Sequence, residues 1–119
     1  MYRRFISRKL RDALGDTRVV LLNGARQTGK STLAQQIAEE RGGRYLTLDD
    51  PAAAGFARSD PAALVKAAGD FTVIDEVQHA PELFPAIKRA VDIDSRPGRF
   101  LLTGSANERN IPRNIPGQP

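Results

Sequence analysis

Val19-Val20-Leu21-Leu22-Asn23-Gly24-Ala25-Arg26-Gln27-Thr28-Gly29-Lys30-Ser31-Thr32-Leu33 decides how the chain is read. Its opening is an apolar run of the kind that forms a strand buried on both faces. From Leu33 onward, Ala34, Ile37 and Ala38 recur at helical spacing, which predicts a helix to about Arg41, stopped by Gly42-Gly43. Between the two stands Gly24 to Ser31, the pattern G-x-x-x-x-G-K-[ST]. Strand, glycine loop and helix in that order make a parallel α/β unit with a cradle for phosphate.

A polyphosphate brings several negative charges that must exchange water for donors at short range. Backbone amides of Gly24, Ala25, Arg26, Gln27, Thr28 and Gly29 can supply them, because glycine lets the chain approach closely. The helix that follows begins with amides lacking internal partners and with the positive end of its dipole. Lys30 then offers a full charge to the β- and γ-phosphates, Ser31 a hydroxyl oxygen to Mg²⁺, and Thr32 a donor toward the α-phosphate.

Two further strands end in polar residues. Phe71-Thr72-Val73-Ile74 delivers Asp75-Glu76 at its carboxyl end, the Walker B pattern. Asp75 is expected in the Mg²⁺ shell beside Ser31, and Glu76 is expected to polarise the water that attacks the γ-phosphorus. On its own such a pair is a common turn or helix-start motif, and the upstream loop gives it its functional meaning. Arg99-Phe100-Leu101-Leu102-Thr103-Gly104-Ser105 repeats the design, with Thr103 standing relative to its strand as Asp75 stands to the earlier one. Thr103 is the first choice for a hydroxyl that senses the γ-phosphate, with Ser105 and Asn107 as second choices. Gln78 lies near enough to the carboxylates to contact water or metal, whereas His79 reads as a surface or capping residue.

At 119 residues the chain is one domain at most. Zero cysteines exclude disulfides and thiolate metal sites, and a single histidine excludes a His-cluster site. No run approaches 18 apolar residues, and the charged start Met1 to Lys9 does not suit a signal peptide, so no membrane role and a cytoplasmic setting are expected. The net charge of +4 invites a nucleic-acid reading. Its excess is concentrated in the N-terminal segment (Arg3, Arg4, Arg8, Lys9, Arg11, Arg18) and toward the other end (Arg96, Arg99, Arg109, Arg113), which discounts net charge as an argument for a nucleic-acid partner.

Along the chain, residues 2 to 14 read as an amphipathic helix with Tyr2, Ile6, Leu10, Ala13 and Leu14 on one side. Its basic face is expected to be solvated, a nucleic-acid or membrane-surface role being the alternative. Tyr45 to Leu48 reads as a strand, and Asp50-Pro51 and Asp60-Pro61 as two helix starts, each an N-cap carboxylate followed by proline. Asp49 is given capping or turn duty. A helix is expected from about Glu82 to Val91, with Pro85 tolerated in its first turn. Glu108 to Pro119 has three prolines and no period, the composition of a disordered tail.

With these motifs placed, the chain resembles the AAA-like P-loop ATPases of prokaryotes that carry a further C-terminal domain. The words that carry the resemblance are Gly24 to Leu33, Leu48-Asp49-Asp50-Pro51, Ile74-Asp75-Glu76-Val77-Gln78 and Leu101 to Asn107. It implies a three-layer α/β/α sandwich with a mostly parallel sheet ordered 5-1-4-3-2. It also implies ATP with Mg²⁺, and hydrolysis that depends on a homo-oligomer or a protein partner. Family members continue into a fifth strand where this sequence offers a Pro/Asn/Arg tail. Residues 1–107 are therefore expected to form a partial ATPase core and 108–119 a disordered tail. No family-matching arginine finger, worth ~10³ to 10⁵ in rate, is identifiable, so slow or absent turnover by the isolated chain is expected. The competing readings are a P-loop small-molecule kinase, which would need an arginine-bearing lid, and a nucleic-acid or protein-interaction module that uses nucleotide only as a stabiliser.

Overall fold

The computed structural model describes residues 2–24 and 29–105, and the side chains of 8–23 and 29–104. Ala25, Arg26, Gln27 and Thr28 of the loop, Asn107 and the expected tail at 108–119 lie outside the described residues, as do the side chains of Tyr2, Ile6 and Ser105.

Among the described residues the apolar runs become four strands, β1 (Val19–Gly24), β2 (Arg44–Thr47), β3 (Thr72–Asp75) and β4 (Phe100–Ser105). All pair in parallel, in the order β1-β4-β3-β2. That is the 1-4-3-2 part of the order implied by the resemblance. Among the described residues five helices connect or flank them: α1 (Tyr2–Asp16), α2 (Lys30–Glu40), α3 (Pro51–Ser59), α4 (Pro61–Lys66) and α5 (Leu83–Ile93), with a 3₁₀ turn at Val77–His79.

The topology follows from handedness. After β1 the chain crosses through α2 to the far edge at β2, then returns through β3 to β4. Parallel crossovers are right-handed, so reversing the direction of travel puts the later helices on the opposite face. Two apolar cores result. On one face Leu10 and Leu14 of α1 and Leu33, Ala34 and Ile37 of α2 pack on Val20, Val73 and Leu101. On the other, α3, α4 and α5 pack on Val19, Ile74, Phe100 and Leu102. Residues alternate between these cores along each strand, which is why the strands read as unbroken apolar runs.

Local signals are realised as well. Asp50 accepts from Ala52 N and Asp60 from Ala63 N, both at 3.2 Å, so each caps a helix that opens on proline. α1 is tied to α2 by a two-pronged Arg11–Glu40 pair, at 2.9 and 2.5 Å. The last carbonyls of α5 receive guanidinium donors: Arg99 bonds Ala90 O at 3.0 Å and Arg18 bonds Val91 O at 3.2 Å. Part of the positive charge near the chain ends is thus structural.

Candidate nucleotide-binding site

The carboxyl ends of β1, β3 and β4 and the amino end of α2 converge on one spot. Gly29 caps α2 with φ 80°, a left-handed conformation that disfavours any side chain, and its carbonyl accepts from Leu33 N at 3.0 Å. Gly24 is placed differently from its loop partner: it closes β1 opposite Ser105. Lys30 and Ser31 therefore open the helix directly after Gly29, and Thr32 sits exposed on the same first turn.

Both expected carboxylates meet α2. Lys30 Nζ donates to Glu76 Oε2 at 3.0 Å, with both side chains 3% exposed. Ser31 Oγ lies 3.1 and 3.0 Å from the two oxygens of Asp75. Consecutive residues of a regular strand point to opposite faces, so Asp75 and Glu76 could not both address α2 from a continued β3. The backbone at Glu76 resolves this. Its φ of 58° and ψ of 50° form the sole left-handed non-glycine conformation among the described residues, and it swings the second carboxylate to the side of the first. Such a conformation costs about 1–3 kcal/mol and is kept only where surroundings enforce it. Here Gln78 Nε2 donates to Glu76 Oε1 at 2.8 Å, and Glu76 N donates to Thr103 Oγ1 at 3.0 Å.

Thr103 is completely buried, and its hydroxyl donates to Asp75 Oδ1. Ile74 pairs with Leu102, so Thr103 follows opposite Asp75, the correspondence expected from sequence. Gln78 touches Glu76 as its position suggested, with its own Oε1 buried and unpartnered among the described residues. His79 is exposed, its Nε2 3.3 Å from Asp49 Oδ1, which leaves both away from the buried cluster.

One member of the cluster carried no site expectation in the sequence. Tyr45 OH donates to Asp75 Oδ2 at 2.7 Å. Burial, followed by the hydrogen bond to Asp75, pushes its phenol up to about 12, so it remains a proton donor at neutral pH. The only sequence signal was a polar-tipped aromatic on the strand face that turns toward α2.

Ser31 and Asp75 together offer a hydroxyl and a carboxylate, an all-oxygen set that suits a hard cation such as Mg²⁺. Among the described residues no group of three or more His, Asp or Glu forms a protein-only cage. A cation here would complete its shell with phosphate and water, as Mg²⁺ does at nucleotide sites.

Fold and site together define a P-loop nucleotide-binding module. The model of the AAA domain family matches residues 16–115, and the chain belongs to that family. Uncharacterised proteins of Mycobacterium bovis and Mycobacterium tuberculosis are each 36% identical over 105 residues, 88% of this chain and 24% of theirs. The chain thus spans about a quarter of the length of the curated relatives it matches. The Holliday junction branch migration motor RuvB of Thermotoga maritima shares the fold, with TM-score 0.60 at 23% identity over 92% of this chain and 40% of that one. A variant of the same motor gives 0.55 at 24% identity, over 86% and 37%. No helix among the described residues is long and apolar enough to cross a membrane.

Proposed function

We propose that the chain binds ATP with Mg²⁺ at Gly24 to Thr32 and that Asp75 and Glu76 serve its hydrolysis. The observation that carries this reading is the convergence of Lys30 and Ser31 on Glu76 and Asp75, because those four side chains meet the separate needs of a phosphate, a cation and an attacking water. Lys30 and the amides opening α2 hold the phosphates. Ser31 and Asp75 hold the cation, which when bound neutralises charge developing on the phosphate oxygens. Glu76, once Lys30 turns to phosphate, accepts a proton as the water oxygen bonds the γ-phosphorus and ADP leaves. Thr103 keeps Asp75 and the Glu76 backbone in register, and sensing of the γ-phosphate by its hydroxyl is part of the same proposal.

Glu76 against Lys30 favours hydrolysis over phosphate transfer to a second substrate, since it sets a carboxylate next to the side chain that would hold the γ-phosphate. Turnover is assigned to an assembled state, either a homo-oligomer or a complex with a protein partner.

A thermal-shift titration with Mg²⁺-ATP, Mg²⁺-ADP and Mg²⁺-GTP tests the reading, with Lys30→Ala as control. At a hundred times Kd, ligand linkage adds about 2.7 kcal/mol, a midpoint rise on the order of 10 °C for a domain of this size. The expected outcome is a saturable rise with adenine nucleotides that Lys30→Ala abolishes. An equal rise in the Lys30→Ala chain overturns the site assignment.

A further inference from the structure

Asp75 lies on β3, and each neighbouring strand lends it one hydroxyl. Thr103 of β4 donates to Oδ1, and Tyr45 of β2 donates to Oδ2 at 2.7 Å. The second contact is a consequence of register. Tyr45 pairs with Val73, and Asp75 stands two residues further along β3 on the same face. Two residues of strand rise about 6.6 Å, a span that a phenol can cover and that shorter hydroxyl side chains cannot. The ring lies against the core formed by α1 and α2, so the side chain has little freedom to leave this contact.

Ser31 is the third hydroxyl on this carboxylate, and it differs from the other two. Under the reading above, its oxygen would serve the cation, so its contact with Asp75 would not be a fixed one. Neither Tyr45 nor Thr103 is assigned to the cation. They hold the carboxylate from both sides, one hydroxyl on each oxygen, and a carboxylate oxygen keeps a further acceptor site for a cation.

We propose that Tyr45 is a positioning residue for the metal, holding Asp75 in the orientation from which it meets the cation shell; this rests on the Mg²⁺-nucleotide reading. A phenol that served packing alone would support the fold equally with and without metal. One that orients Asp75 matters only when the cation is bound.

The test is calorimetric binding of ATP to the full chain, in EDTA and across a Mg²⁺ titration. The parent, Tyr45→Phe, Asp75→Asn and the double variant are compared, each first melted without ligand. Tyr45→Phe keeps the ring and removes the hydroxyl. The expected result is ATP affinity in EDTA within about twofold of the parent, with the Mg²⁺ concentration for half-maximal enhancement raised about tenfold, the scale of one hydrogen bond to a charged acceptor. On the Asp75→Asn background the same change should add nothing, because the phenol acts through that carboxylate. Equal weakening with and without Mg²⁺, no change in Mg²⁺ dependence, a full further loss on the Asp75→Asn background, or a Tyr45→Phe chain lacking a cooperative melt would each overturn the role. A parent chain that binds no ATP in either condition overturns the nucleotide reading itself, and the Tyr45 role with it. A parent that binds normally beside an unchanged variant removes only the latter.

Discussion

Lys30 and Glu76 are both nearly sealed from solvent, and each is the other's counter-ion at 3.0 Å. Under the proposed function the same two side chains take separate duties, so nucleotide would compete with the pair already formed. Removing one partner of a buried ion pair leaves an uncompensated charge, a loss of several kcal/mol when no polar substitute remains. Glu76→Gln keeps an acceptor near Lys30 but no charge. Its unliganded stability should fall by at least ~1 kcal/mol, while ATP affinity rises because Lys30 no longer has to be drawn from a carboxylate. Any hydrolysis should disappear. Denaturant melts and calorimetry check these outcomes, and unchanged stability with unchanged affinity would mean that the pair does not restrain Lys30. That Lys30, Ser31, Asp75 and Glu76 belong together was legible because each sits in a short motif next to its strand or helix. The left-handed backbone at Glu76 was not, since an Asp-Glu-Val sequence gives no sign of positive φ. Tyr45 was missed for a different reason: it is 30 residues from Asp75, and only strand register brings them together.

At the scale of elements, the strands were legible where they are apolar on both faces, and their ends were less so. The strand expected at Tyr45 to Leu48 runs from Arg44 to Thr47. Leu48 leaves the ladder yet remains buried, and its N–H still reaches Asp75 O at 2.9 Å, so hydrophobicity alone could not place the boundary. α1 extends to Asp16 through Gly15, past the expected stop. The turn from α5 into β4 carries a sharper constraint. Gly98 has φ 69°, its N–H bonds Thr17 O at 2.9 Å, and a β-carbon there would lie 2.8 Å from Leu14 O and 2.5 Å from Arg41 Nη2. The arginine can move aside, but the backbone carbonyl at the end of α1 cannot. Gly98→Ala should therefore cost about 1–3 kcal/mol from strained backbone and crowding together. Urea unfolding checks it. A loss below about 0.5 kcal/mol, the size of an ordinary surface change, would show that α1 yields at this point.

For the molecule as a whole, the order β1-β4-β3-β2 makes the two strands that bear Thr103 and Asp75 the interior ones. β1, which launches the phosphate loop, pairs with β4 alone among the described residues, and β2 pairs with β3 alone. The reversal that produces this order was legible only through the resemblance, because periodicity identifies strands without saying which lie side by side. Stability should be distributed accordingly. Amides of β3 and β4 bond or lie between strands on both sides, with Val73, Ile74, Leu101 and Leu102 wholly buried, so they open only with the whole fold. β1 and β2 can lose their outer contacts in smaller openings. Hydrogen exchange should thus rank β3 and β4 as slowest, with β1 and β2 faster. Mg²⁺-ATP should then slow exchange most at the carboxyl end of β1 and the first turn of α2, where Asn23, Gly24, Lys30 and Ser31 flank the loop. Such a gain, absent in Lys30→Ala, would mean that ligand stabilises the outer strand through its loop and couples the site to an edge of the sheet. Uniform slowing across all four strands would instead indicate that the sheet opens as one unit, and that nucleotide acts on global stability alone.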